Sequence, residues 1–141
     1  MNATIEKFGY PASLIREYDH WVLLLRPSQV TAGSLILASK SDATAYGALP
    51  TAAFAEQASI VAELEAMLKS SVDFEKINYL MLMMVDRHVH FHIFPRYEGR
   101  RSLAGISFPD VGWPGPPDLK SAVECDGEWQ KRAIGLLRTG Q

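Results

Sequence analysis

His88-Val89-His90-Phe91-His92-Ile93-Phe94-Pro95 places three imidazoles at alternate positions, with an apolar residue after each. In an extended chain, alternate side chains share one face. The stretch therefore reads as a strand with Val89, Phe91 and Ile93 turned into a core and the three rings in a row on the other side. The preceding run, Ile77 to Val85, is apolar apart from Asn78, and its length and setting favour a strand covered on both faces. With Asp86-Arg87 as the turn, the two runs predict an antiparallel hairpin that Pro95 closes.

Working outward, Leu14–Tyr18 and Trp21–Leu25 read as short strands around a tight turn at Asp19-His20. Arg26-Pro27 ends the second, and Gly33 precedes a third apolar run, Leu35–Ala38. Between Thr51 and Ser70, Phe54, Ala58, Val61, Leu64 and Leu68 recur at three- and four-residue steps, which predicts an amphipathic helix. Its start at Pro50-Thr51 has no capping box. Prolines 109, 114, 116 and 117 exclude regular helix or central strand there, so the segment from about 98 reads as an irregular tail. A last helix is expected from about Gly127 to Leu137. The fold class is α+β, a single domain with a mainly antiparallel sheet, one long helix and a short C-terminal helix.

The whole chain has 141 residues, 48% hydrophobic and 21% charged, which is ordinary for a globular domain. A net charge of −2 argues against a general nucleic-acid binder. No apolar run approaches the roughly 20 residues that span a bilayer, so no membrane partner is expected. The single cysteine, Cys125, allows no internal disulfide. The first residues carry charge and lack the apolar run of a signal peptide, and the expected location is the cytoplasm.

Three readings compete for the histidine row. A chance cluster on a solvated strand is the plainest, although Thr, Lys or Glu would serve such a face. Metal binding is sharper. Neighbouring members of the row stand about 6.6 Å apart and the outer two about 13 Å. Because a zinc–nitrogen bond is about 2.0–2.1 Å, two of the rings can share an ion but three on one flat strand cannot. The remaining ligands would come from His20, Cys125, Asp86 or Asp19. The third reading is nucleophilic chemistry at phosphorus, with one imidazole attacking and a neighbour serving the leaving group. It needs no metal, but it needs positive charge. Arg87, Arg96, Arg100 and Arg101 fall within fifteen residues around the row, with Glu98 the only acid among them. Arg96 follows the strand directly and is the one expected at the site.

The segment HVHFHIFPRY resembles the signature of the histidine-triad family at every position, and it follows an apolar stretch as it does there. The likeness extends loosely over residues 10 to 97. It implies an α+β fold with a five-stranded antiparallel sheet, a homodimer, and a metal-independent hydrolase or transferase working through a covalent nucleotidyl-histidine. No cofactor is implied. The nucleotide substrate would be a nucleoside phosphoramidate or a dinucleoside polyphosphate. By the same resemblance His90 is the nucleophile, the backbone carbonyl of His88 holds one of its ring nitrogens, and the His88 side chain supports the site. His92 contacts the phosphate and assists the leaving group. Three positions depart from the family pattern. Ser34 stands where a supporting histidine is usual, with His20 a candidate substitute. Arg26 occupies a position often taken by a ribose-binding Asp or Asn. Met84 and Val85 replace the usual Gln and Ser/Thr. Asn78 and Trp113 are further candidates for substrate contact, the first as a polar group in an apolar strand, the second as a ring stacking on a base. A non-catalytic nucleotide-binding protein on the same scaffold is the remaining alternative.

Overall fold

The structure, a computed structural model, describes residues 1–139. A short helix α1 (Ala3–Lys7) leads into strands β1 (Leu14–Glu17) and β2 (Trp21–Leu25), a two-residue strand β3 (Ser28–Gln29), and β4 (Leu35–Ser39). The long helix α2 (Thr51–Val72) follows, then β5 (Lys76–Leu80) and β6 (His90–Arg96). The remainder holds β7 (Arg100–Leu103), β8 (Ile106–Pro109), a two-residue β9 (Val123–Glu124) and helix α3 (Gly127–Thr139). Five strands make one antiparallel sheet in the order β1-β2-β4-β6-β5. Among the described residues no helix is long and apolar enough to cross a membrane.

Trp-Val-Leu-Leu-Leu of β2 is buried on every residue, as is Leu-Ile-Leu-Ala-Ser of β4, because these inner strands are covered on both faces. One face sends Trp21, Leu23, Leu35, Leu37 and Ile93 into the main core, where Ile60, Leu64 and Leu68 of α2 and Trp129 and Ala133 of α3 meet them. The other face carries a smaller cluster, Val22, Leu24, Ile36 and Ala38, capped by Ile5 of α1 with Phe8, Tyr10 and Leu14 beside it. Register places His90 next to Ala38 and His92 next to Ile36 on this second face. The histidine row thus lies under the N-terminal segment, not in open solvent.

Four expectations from the sequence need correction. Helix α2 buries Ala53, Ile60, Leu64, Leu68 and Val72, leaving Phe54 and Ala58 exposed, so its buried face is rotated from the predicted one. The cause is the run of alanines, which makes the helix weakly apolar all round and lets Ile60 set the inward face. The predicted strand Ile77–Val85 stops at Leu80. Leu82, Met84 and Val85 are 44%, 82% and 85% exposed in a loop. The chain leaves the extended conformation there, with Met83 at φ +53°, so Met81 and Leu82 do not pair with Phe91 and His90, which the register would set opposite them. His88 N–H donates to Thr4 Oγ1, while Val89 accepts from Ser39 N and donates to Ala43 O. Pro95 lies inside β6, opposite Ile77, and does not end the hairpin. Finally, the tail is not irregular throughout: β7 and β8 form a hairpin around Ala104-Gly105, both at positive φ, and drive Leu103 and Phe108 into the core.

Gly33 shows how closely the connection before β4 approaches α2. Its φ is +81°, and a Cβ there would stand 3.0 Å from Leu68 and 3.1 Å from Val72.

Candidate active site

His88, His90 and His92 are 7%, 2% and 9% exposed. Nδ1 of His90 lies 2.7 Å from the backbone carbonyl of His88. A carbonyl only accepts, so Nδ1 holds the ring's proton in the neutral form and Nε2 keeps its lone pair. This fixes the tautomer a nucleophile at phosphorus requires. His88 does not belong to β6 itself. It is held by Thr4, whose Oγ1 is 2.9 Å from its Nδ1. Phe8 closes over the row, with its ring centroid 5.6 Å from that of His90 and 5.7 Å from that of His92. Asn2 secures the segment by donating to Ser39 O and Ser41 O, and Lys7 pairs with Asp86 at 2.7 Å. A cavity of about 200 Å³ opens between Thr4 and Lys7 on one side and Asp86, Arg87 and His88 on the other.

The imidazoles of His90 and His92 stand 5.1 Å apart, and His92 stacks on Phe94. Nδ1 of His92 is buried without a hydrogen-bond partner among the described residues. Burial first, then the positive charge of Arg26 and the neighbouring His90, pushes the His92 pKa down to about 4, against an opposing pull from Asp86. His92 is therefore neutral near pH 7 in the free protein. As pH falls from 6.5 toward 4, the unfolded chain takes up a proton that the folded ring refuses, so the protein loses stability through that window. Urea midpoints measured at pH 7, 6, 5 and 4 should decline less steeply in His92→Gln than in wild type. Parallel declines would show that the ring titrates normally.

Arg26, at the end of β2, lies beside this row. Its guanidinium carbon is 5.8 Å from the Phe94 ring centre, and Nη1 donates to Ser28 O and Oγ. No carboxylate pairs with it among the described residues, and its Nε is buried without a partner. A partly buried guanidinium with no ion pair, drawn on only by the more distant charge of Glu124 and close enough to depress the pKa of His92, is suited to an anion.

Arg96, the arginine expected at the site, is committed elsewhere. It makes a two-pronged ion pair with Asp110, Nε to Oδ2 at 2.8 Å and Nη2 to Oδ1 at 3.0 Å. It also donates to Asn78 Oδ1 and Gly115 O. Three strand steps, about 20 Å, separate it from His90. Asn78, Arg96 and Trp113 do come together, but around a different cavity of about 310 Å³. Arg100 is engaged with Ser107, and Arg101 with Glu75 and the Tyr97 ring. Arg87 alone of the four borders the cavity beside His88.

Ser34 is buried in the turn it stabilises, with Oγ donating to Thr31 O and accepting from Val30 N and Thr31 N. Among the described residues no hydrogen bond or ring contact joins the His20 side chain to the row. The support beneath His88 comes from Thr4, which sequence reasoning missed, as it missed Phe8. Both lie eighty or more residues from the histidines. The only local signal was Phe8 and Tyr10 in an N-terminal stretch otherwise hard to assign. Among the described residues no group of three or more His, Cys, Asp and Glu gathers as a metal site.

No family model and no curated protein matches the chain. Solved structures do. A histidine triad protein from Sinorhizobium meliloti is 22% identical, with a TM-score of 0.78 over 100% of this chain and 96% of that one. A histidine triad protein from Marinobacter aquaeolei is 21% identical, with a TM-score of 0.70 over 96% and 92%. A hypothetical histidine triad nucleotide-binding protein from Sulfolobus tokodaii is 20% identical, with a TM-score of 0.71 over 97% and 88%. Sheet and helices thus agree with one known architecture: this chain has the fold of histidine-triad proteins.

Proposed function

We propose that the protein is a nucleotide hydrolase or nucleotidyl transferase in which His90 attacks the α-phosphate of a nucleoside phosphoramidate or dinucleoside polyphosphate. The observation that carries this reading is the 2.7 Å contact between His90 Nδ1 and the His88 carbonyl, which leaves Nε2 as the nucleophile. Nε2 forms a bond to phosphorus while the bond to the leaving oxygen or nitrogen breaks. The anionic phosphate, lying against His92 and Arg26, raises the proton affinity of His92, which then protonates the leaving group. Arg26 balances the charge on the phosphoryl oxygens. Water or another acceptor next attacks phosphorus, and the bond to Nε2 breaks to restore His90. The chemistry requires no metal or cofactor. It does require Phe8 to leave the row, since His90 is only 2% exposed beneath it. Gly9, at φ +95° directly after Phe8, lies where such a movement would turn.

The same closure favours a second reading, a non-catalytic nucleotide-binding protein on this scaffold. One experiment separates them. Intact-mass measurement after brief mixing with a panel of dinucleotides and nucleoside phosphoramidates should show a nucleotidyl adduct on wild type and none on His90→Asn. Nucleotide binding with no adduct across the panel would establish the non-catalytic reading instead.

A further inference from the structure

Face parity connects the 310 Å³ cavity to the imidazole row. Lys76, Asn78 and Arg96 share the face that carries His90 and His92, since Asn78 pairs with Phe94 and Lys76 with Arg96 in register. The row of Asn78 and Phe94 is only about 7 Å along the strand from His92. Trp113 and Lys76 also line this cavity, and its volume falls at the small end of the range of ligand sites.

We propose that this cavity is a second subsite, one that holds a planar, anionic leaving half of the substrate while the α-phosphate lies at His90. The proposal rests on the reaction described above. The wall offers three complementary features. Trp113 is half-buried and presents an aromatic surface. Lys76 is exposed and makes no ion pair among the described residues, so its charge is available to a phosphate. Asn78 gives its Oδ1 to the Arg96 guanidinium, which can only donate, so its amide Nδ2 remains as a donor toward a ring acceptor. A stacking surface, a cation and a single donor fit a nucleotide or a similar charged heterocycle. A small amine would leave them unused.

The loop bearing Trp113 is held before any ligand arrives. Arg96 grips Asp110 and Gly115 O, while Trp113 N donates to Asp110 O and Gly115 N to Gly112 O. A Cβ on Gly112 would stand 2.2 Å from the carbonyl oxygen of Pro116, so the turn closes this tightly only with glycine. Ordering is thus largely complete in the free protein, which lowers the entropy lost on binding. Arg96 and Asp110 are positioning residues here.

The test is calorimetric binding of diadenosine tetraphosphate and of AMP to the His90→Asn protein, alone and combined with Trp113→Ala, Trp113→Phe or Lys76→Ala. The dinucleotide should bind more tightly than AMP. That preference should fall about tenfold or more with Trp113→Ala and largely return with Trp113→Phe. Lys76→Ala, at an exposed position that folding tolerates, should reduce it in the same direction. A preference unchanged by both Trp113→Ala and Lys76→Ala, or no preference at all, overturns the proposal. Because this readout is binding to a protein lacking the nucleophile, it is decided separately from adduct formation on wild type.

Discussion

Asparagine at position 90 should lower turnover of both substrate classes by about 10⁴-fold or more, with little change in melting temperature. The choice of asparagine isolates the chemistry. Its Nδ2 can donate to the His88 carbonyl much as Nδ1 of the imidazole does at 2.7 Å, and the side chain is small enough to remain under Phe8. Packing and the buried hydrogen bond are therefore largely kept, and loss of ring contact should cost about 1 kcal/mol. What disappears is the Nε2 lone pair proposed to bond to phosphorus. Arg26 and His92 would still stabilise charge around a phosphate attacked directly by water, which sets a residual rate above the uncatalysed one. Initial rates with a dinucleoside polyphosphate and a nucleoside phosphoramidate, beside thermal melts of the same samples, provide the measurement. A loss under tenfold in a protein with wild-type stability would remove His90 from the role of nucleophile.

The features legible in the sequence were those fixed by local spacing. Alternation at 88, 90 and 92 located the strand that carries His90 and His92, and the uninterrupted apolar residues of Trp21–Leu25 and Leu35–Ala38 located the sheet's centre. The features that failed depend on distant partners. Met81 to Val85 continues the apolar character of β5, but it lies outside the sheet, with Met83 at φ +53°, and the pairing with β6 stops at Leu80. Arg96 follows the histidine strand in sequence, yet Asp110 claims it fourteen residues later. Arg26, sixty-four residues before His90, is the cation that reaches the row's surroundings. The cover over the imidazoles was barely legible, because apart from the aromatic pair Phe8 and Tyr10 nothing local distinguishes Thr4 and its neighbours from other residues near an N-terminus. Strand periodicity says which face a side chain takes, not what will lie on top of it.

Breaking the Arg96–Asp110 pair should have the largest effect on stability. The two side chains are 4% and 1% exposed, and the pair is bidentate. Asp110 also accepts from Tyr97 N at 3.1 Å, and Arg96 reaches Asn78 and Gly115. Arg96→Met keeps most of the aliphatic stem but leaves a carboxylate buried without its counter-ion, which should cost about 3–5 kcal/mol. Asp110→Leu strands the guanidinium and should cost a similar amount. The double variant should be far less destabilised than the sum, since once one charge is gone the other is a liability whose removal is nearly neutral. Urea unfolding of the four proteins forms the cycle. Coupling of several kcal/mol would mark the pair as a buried clamp, whereas additive losses would mean that each residue acts through its other partners. The clamp holds β6 to the loop of Trp113, so a strong coupling would also mean that the end of the histidine strand and the wall of the second cavity are fixed by one interaction.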